Sequence, residues 1–183
     1  MKKSMPMYVF LPALVVSLLV AGCGYTTRSL LPPNFKSIYV DNLTNSIKIS
    51  AEQTDQRMYR GYRPGMEVEL TTAIKNKFIW DGNLKLAPQS GADLVLSGNL
   101  IDYRQEPLRY DDNMNVQEYR VVLVINMKLE DVKAGKIVWE EKGFAGETTY
   151  NTGGQFTLDQ NAAITKAIVD LARRVVERTV EAW

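Results

Sequence analysis

The sequence predicts an α+β domain. We expect a two-layer sandwich with the order β-α-β-β-β-α, in which two helices pack on one face of a four-stranded mixed sheet. Two segments carry apolar residues at helical spacing, and a long segment at Val116–Glu130 alternates apolar and polar residues. Each such element has one apolar face that must be covered, and packing the helices on the sheet covers all of them at once.

The first strand is predicted at Lys36–Asp41, where apolar and polar residues alternate. A long polar connection, Asn42–Gly65, follows it. The first helix is predicted to begin after Pro64-Gly65 and to end at Trp80-Asp81, with Gly82 in the left-handed position that ends many helices. Its apolar residues recur every three or four positions: Met66, Leu70, Ala73, Ile74 and Phe78.

Three further strands are predicted at Ala92–Tyr103, Val116–Glu130 and Ile137–Thr148. The second and third of these are joined by a glycine-containing turn, which is typical of a hairpin. Val122 and Val124 make the second face of the Val116–Glu130 strand partly apolar as well.

The last helix is predicted from a capping box at Thr157–Gln160, followed by an apolar stripe. On its solvent side Asp170 and Arg174 are four residues apart, a spacing that favours an ion pair.

The N-terminus has the features of a lipoprotein signal. Lys2 and Lys3 precede an apolar run, Tyr8–Ala21, which is shorter than the roughly 20 residues that a transmembrane helix needs. The run ends in small residues before Cys23, so we expect residues 1–22 to be removed and Cys23 to be acylated. Residues 23–35 would then form a lipidated tether and residues 36–183 a single domain. An ordinary signal peptide with a chance cysteine is the alternative.

Residue 24 is predicted to decide the destination of the lipoprotein. In diderm bacteria an Asp after the acylated cysteine commonly retains a lipoprotein at the inner membrane. Here that residue is Gly24. We therefore expect a lipid-anchored protein of the cell outer membrane, on its periplasmic face or in a barrel lumen.

Composition excludes several kinds of chemistry. The 183 residues include no histidine and one cysteine, so His-based triads, His metal sites and intrachain disulfides are impossible. Removing residues 1–22 leaves 20 bases (22 minus Lys2 and Lys3) against 21 acids, a balance that argues against nucleic acid as a partner. We predict no catalytic residue, metal or cofactor, although hydrolysis by a carboxylate pair remains formally possible.

Several motifs occur in the order found in one known family. They are Cys23-Gly24-Tyr25, Ile38-Tyr39-Val40 with Asn42 and Asn45, the helix Glu67–Phe78, Ala92–Gly98, Glu118-Tyr119, and Gly135-Lys136 with Trp139. This set resembles the lipopolysaccharide-assembly lipoproteins (LptE type). The resemblance implies a non-enzymatic lipoprotein whose partners are an LptD-type outer-membrane β-barrel and lipopolysaccharide. It also implies that the protein helps to assemble the barrel.

Four cations are the candidate ligand-binding residues, because lipopolysaccharide carries phosphates and Arg binds phosphate in a bidentate manner. Arg104 and Arg109 are predicted in a loop between the second and third strands, and Lys133 and Lys136 at the next turn. The alternative is that these loops are simply solvated. A second candidate is the basic and aromatic cluster in the long connection: Arg57, Tyr59, Arg60, Tyr62 and Arg63. Trp80 and Trp139 are expected in the core or at its rim.

A second function remains open from the sequence. The chain could be a subunit or regulator of another envelope system, such as a secretion channel or a cell-wall synthase. A carboxylate-based hydrolase is the least favoured possibility. The proteins that co-purify with the chain would separate these hypotheses.

Overall fold

The computed structural model describes residues 31–47, 62–154 and 157–181. The predicted signal peptide, the lipidation site Cys23 and most of the tether lie outside the described residues, as do Arg57, Tyr59 and Arg60. No helix within the described ranges combines the length and the hydrophobicity needed to cross a membrane.

The described residues form one mixed sheet. Its strands are β1 (Ser37–Val40), β2 (Thr44–Asn45), β3 (Lys85–Leu86), β4 (Leu94–Tyr110), β5 (Val116–Asp131) and β6 (Lys136–Asn151). Five of them lie in the order β3-β1-β4-β5-β6, and β2 pairs with β4 farther along the same edge as β1. The short strands pair in parallel, whereas β4, β5 and β6 form a long antiparallel meander. The mixed sheet is confirmed, but the count of four strands is wrong because β2 and β3 were missed.

Helix α1 (Met66–Asp81) begins and ends as the sequence predicts. Gly65 precedes it with a φ of 96°, and Gly82 follows it with a φ of 76°. The Gly82 N–H donates to the Phe78 carbonyl at 3.1 Å, which closes the last turn.

Helix α2 (Gln160–Glu181) begins differently from the prediction. The Asp159 carboxylate caps it by accepting a hydrogen bond from the Asn161 N–H at 3.1 Å. The Thr157 hydroxyl instead donates to the Gly154 carbonyl at 2.7 Å, so the predicted capping box is wrong. The predicted ion pair is confirmed, with Arg174 Nε 3.0 Å from Asp170 Oδ2.

Both helices pack on the same face of the sheet. The odd-numbered residues of β5 from Val121 to Leu129 are buried on that face, as the alternation predicts. Helix α2 approaches β6 closely at Gly146, where a methyl group built on the glycine would lie 2.4 Å from Cβ and 2.6 Å from Cα of Leu171. Only a residue without a side chain therefore allows this packing distance.

Candidate functional site

Arg104 lies in the middle of β4, on the sheet face opposite the helices, and not in a loop as predicted. Its Nε is 2.9 Å from Asp102 Oδ2, and its NH1 is 3.2 Å from Glu106 Oε1. Acids on its own strand therefore balance its charge. Arg104 is less available to a ligand than a loop residue would be.

The ion pairs continue across this face of the sheet. Arg120 on β5 lies 3.6 Å from Glu106 and 3.6 Å from Glu147 on β6. Val122 and Val124 beneath this row are only 6 % and 7 % exposed, although both described helices pack on the other face of the sheet. We call the row the charge ladder: Asp102, Arg104, Glu106, Arg120 and Glu147. It gives this face a polar, charge-balanced surface.

Arg109 is near the end of β4, beside the hairpin that joins β4 to β5. Its only ion pair among the described residues, with Glu118, spans 3.8 Å, and its NH2 donates to Asn151 Oδ1 at 3.4 Å. The side chain is 59 % exposed. Long contacts and high exposure leave this guanidinium available for an incoming anion.

The hairpin beside Arg109 presents apolar side chains to solvent. Leu108, Tyr110 and Met114 are 41 %, 48 % and 77 % exposed. Asp111 organises the turn by accepting hydrogen bonds from the backbone N–H groups of Asn113 and Asn115, and these bonds lower the pKa of Asp111. We call Leu108, Arg109, Tyr110 and Met114 the hairpin tip. A cation among exposed apolar groups suits a ligand that has both phosphate and acyl chains.

Lys133 and Lys136 lie at the opposite end of the meander. Lys133 Nζ is 2.6 Å from Asp93 Oδ1, and this contact raises the pKa of Lys133 and lowers that of Asp93. Lys136 begins β6 opposite Asp131. Strand β5, which runs between the two ends, is roughly 50 Å long at about 3.3 Å per residue. The four predicted cations therefore form two separate groups and cannot contact one phosphate together.

The described part of the basic and aromatic cluster holds elements together. Arg63 donates to both carboxylate oxygens of Glu69, at 3.1 and 2.7 Å, and to Asn161 Oδ1 at 2.9 Å. The Tyr62 hydroxyl accepts a hydrogen bond from Asn45 at 2.5 Å. Arg63 thereby links the first turns of α1 and α2, and we assign it a structural role.

A polar cluster inside the fold was not predicted. Gln105 is 2 % exposed, donates to the Tyr150 hydroxyl at 2.8 Å and accepts from Gln160 at 2.9 Å. Burial raises the pKa of the neighbouring Tyr103 to about 12. The alternation of β4 could have predicted this position, because Gln105 lies two residues after Tyr103 and therefore on the same face, which packs against the helices. The polar side chains of this cluster satisfy one another by hydrogen bonds. Because Gln160 is the first residue of α2, these bonds also position the start of that helix.

The open face also has a shallow polar depression of about 380 Å³. Polar side chains dominate its lining: Thr44, Ser97, Asn99, Asn126, Lys128 and Glu140. Among the described residues, no three Asp, Glu, His or Cys side chains are grouped so that they could hold a metal ion.

A family model described as lipopolysaccharide-assembly (LptE) matches residues 35–179. The chain belongs to the LptE family. The match covers the whole sheet, helix α1 and all but the last two residues of α2, and the resemblance drawn from the sequence motifs is confirmed. The LptE family is non-enzymatic.

Solved structures similar to this LptE-family chain come from several bacteria. The PelC dodecamer from Paraburkholderia phytofirmans is 16 % identical, with a TM-score of 0.46 over 86 % of this chain and 96 % of that one. A minor lipoprotein from Acinetobacter baumannii is 16 % identical, with a TM-score of 0.46 over 80 % and 92 %. The rare lipoprotein B from Shewanella oneidensis is 15 % identical, with a TM-score of 0.42 over 77 % and 92 %. No curated protein matches the chain.

Proposed function

We propose that this protein is a lipid-anchored outer-membrane component of lipopolysaccharide export. It assembles with an LptD-type β-barrel and assists the transport of lipopolysaccharide to the cell surface and its insertion there, without catalysing a reaction. The observation that carries the proposal is the family match over residues 35–179. The anchor is acyl-modified Cys23, exposed by removal of residues 1–22, with residues 23–35 as tether and residues 36–183 as the domain.

The open face of the sheet supports this proposal. Its charge ladder pairs each described Arg with acids, and the depression beside it is lined by amide, hydroxyl and charged groups. Such a face keeps its hydration and has little tendency to aggregate, as a surface inside a water-filled barrel requires. The near-neutral net charge of the mature chain agrees with the same surroundings.

Co-purification from detergent-solubilised outer membrane tests the assembly proposal. We expect a stable one-to-one complex with a large β-barrel, and depletion of the protein is expected to lower the amount of correctly folded barrel. The variant Cys23→Ala tests the lipid anchor. It is expected to incorporate no radiolabelled fatty acid and to remain as precursor. Recovery of a secretin or a cell-wall synthase instead, with barrel levels unchanged on depletion, would favour the alternative envelope system.

For ligand contact we propose Arg109 at the hairpin tip, with Arg104 behind it on the same strand. Arg109→Glu is expected to weaken lipopolysaccharide binding about fivefold, since an exposed charge contact contributes ~1 kcal/mol. Thermal stability is expected to stay within about 0.5 kcal/mol, because the side chain is exposed. The measurement is binding of purified lipopolysaccharide at two salt concentrations, where the difference from wild type shrinks at high salt.

Two controls accompany this measurement. Arg109→Gln removes the attraction without adding repulsion, so its effect is expected to be smaller. Lys142→Glu reverses another exposed charge on β6, far from the tip, and is expected to leave binding unchanged. Equal binding by wild type and Arg109→Glu at low salt would exclude the hairpin tip as a phosphate site.

A further inference from the structure

The polar depression on the open face lies between two irregularities of the sheet. The first is the gap between β1 and β2 along the edge of β4, where neither short strand pairs with Ser97 or Gly98 within the described ranges. The second is a β-bulge in β6, where Lys142 and Gly143 both lie opposite Asn126. Bulges of this kind redirect side chains and are common next to binding sites. The regular cover of the open face is therefore interrupted on both sides of the depression.

Four side chains in the lining have hydrogen-bonding groups without a partner among the described residues. The Thr44 hydroxyl and the Asn99 amide form no hydrogen bond there. The Asn126 Oδ1 accepts from the Gly143 N–H at 3.0 Å, which leaves the amide hydrogens of Asn126 unused. The Ser97 Oγ is buried and has no partner, an arrangement that costs free energy until a partner is supplied. The depression thus combines unused donors with unused acceptors.

The charged side chains of the depression are already paired. Lys128 Nζ is 2.9 Å from Glu130 Oε1, and Glu140 Oε1 is 3.5 Å from Lys142 Nζ. Each pair is neutral as a whole, so the depression has no excess charge that would attract an anion or a cation. A ligand in it is expected to be uncharged and rich in hydrogen-bonding groups.

Among the described residues, no aromatic ring lines the depression. Trp80, in the last turn of α1, is 87 % exposed, so the expectation that it lies in the core or at its rim is wrong. It belongs to the helix layer, on the other side of the sheet. Trp139 is 9 % exposed and packs in the core, as expected. Hydrogen bonds, and not stacking on a ring, would therefore hold a ligand in the depression.

We propose that the depression binds a neutral sugar ring. A hydroxyl group donates one hydrogen bond and has two acceptor lone pairs, so the hydroxyls of a sugar match both the amide hydrogens and the acceptor oxygens of the lining. The volume of about 380 Å³ lies within the roughly 300–1,000 Å³ of small-molecule sites. The oligosaccharide part of lipopolysaccharide is the first candidate source, and this assignment of the source rests on the proposed function. A water-filled barrel lumen would leave the open face accessible to such a chain.

Titration followed by nuclear magnetic resonance tests the site. The acylated mature protein, labelled with ¹⁵N, is kept in micelles of a detergent without a sugar headgroup. One ligand is the core oligosaccharide of lipopolysaccharide, freed of lipid A and phosphate. The other is chitotriose, a neutral trisaccharide of a different glycan. We expect the backbone signal of Gly98 and the side-chain amide signals of Asn99 and Asn126 to shift with ligand concentration, while the signals of the hairpin tip stay in place.

Two variants test the contacts. Asn99→Ala is expected to weaken sugar binding about three- to tenfold, because it removes a neutral hydrogen-bonding group. Ser97→Ala is also expected to weaken binding, yet to keep or raise the urea midpoint, because it removes a buried hydroxyl that has no partner. A purely structural Ser97 would instead lower the midpoint and leave binding unchanged. The matched control is Thr149→Val, an exposed position on the same sheet face outside the depression.

The two ligands distinguish the sources of the sugar. Shifts with the core oligosaccharide alone support the site and the lipopolysaccharide source, whereas shifts with chitotriose support the site with another envelope glycan as its source. The absence of shifts at Gly98, Asn99 and Asn126 with both ligands overturns the proposal. Equal affinity of wild type, Asn99→Ala and Ser97→Ala also overturns it, since the sugar then binds elsewhere.

The sugar site and the proposed function can fail separately. Asn99 and Arg109 are roughly 30 Å apart along β4 at about 3.3 Å per residue, so variants at one position leave the other in place. A chain that forms the barrel complex but shifts with neither sugar keeps the proposed function and loses the sugar site. A chain that binds sugar in the depression but recovers no barrel keeps the site and loses the proposed function.

Discussion

Gly146→Val is expected to destabilise the domain strongly. The new side chain would begin 2.4 to 2.7 Å from Cβ, Cα and N of Leu171, and backbone atoms cannot rotate away. Helix α2 would have to move off β6, which separates the apolar faces that both elements bury. We expect a loss of about 3 kcal/mol or more, beyond the usual cost of overpacking. That is a large part of the roughly 5–15 kcal/mol that stabilises a typical domain.

Urea unfolding followed by near-ultraviolet circular dichroism measures this loss. The matched control is Gly153→Val, because Gly153 is exposed and a Cβ built there has no atom within 4 Å. A Gly146→Val protein with the wild-type midpoint would show that α2 does not pack on β6 at this distance.

Asp93→Ala is expected to cost about 2–4 kcal/mol, because a mostly buried carboxylate would leave several donors without an acceptor. The Asp93 side chain is 13 % exposed and accepts hydrogen bonds from the N–H groups of Lys36 and Ser37 at 3.0 and 3.1 Å. It also accepts from the Ser37 hydroxyl at 2.9 Å and from Lys133 Nζ at 2.6 Å. One carboxylate thus connects the starts of β1 and β4 with the turn between β5 and β6.

The same contacts predict a pH dependence. They hold the pKa of Asp93 well below its usual range. Their stabilisation is therefore fully present above about pH 4, the pKa of Asp in the unfolded chain, and is lost as the pH falls further. The free energy of unfolding, measured from pH 6 to pH 2, is expected to fall less steeply for Asp93→Asn than for wild type. Asp112→Asn, at an exposed position in the hairpin turn, is the matched control. Parallel curves for wild type and Asp93→Asn would contradict the assignment.

Elements with a long periodic pattern could be predicted from the sequence. The alternation in β5 gave the correct buried face, and Gly82 gave the correct end of α1. Strands β2 and β3 have two residues each, which is too short for any period to be seen. They form because β4 and β1 each have an unpaired edge at that point. This depends on the tertiary fold and cannot be predicted from the local sequence.

The end of β4 is a strand although its sequence predicts a loop. Arg104, Glu106, Pro107 and Arg109 have the composition of a loop. Here one face of the strand carries exposed and half-buried charged side chains. Beyond Leu100, β5 is the only strand within the described ranges that pairs with it. A proline is tolerated on such an edge because no hydrogen bond to a further strand is lost.

The candidate cations could be found from the sequence, but their partners could not. Lys133 is 40 residues from Asp93 in the chain, and their ion pair depends on the sheet topology. Trp80 is predicted in the core or at its rim, although two residues after Phe78 correspond to about 200° of rotation around the helix. The periodicity itself pointed that side chain to solvent.

The position of β1 has a consequence for how the chain is made. β1 lies between β3 and β4, both of which come much later in the sequence. The meander, by comparison, consists of hairpins whose strands follow one another directly, so its contacts close short loops at low entropic cost. Export from the N-terminus, which the proposed signal peptide implies, would deliver the first strand long before the neighbours of that strand emerge. During this interval the side chains of Ile38 and Val40 cannot yet be buried. We therefore expect a chaperone that binds extended apolar segments to bind β1.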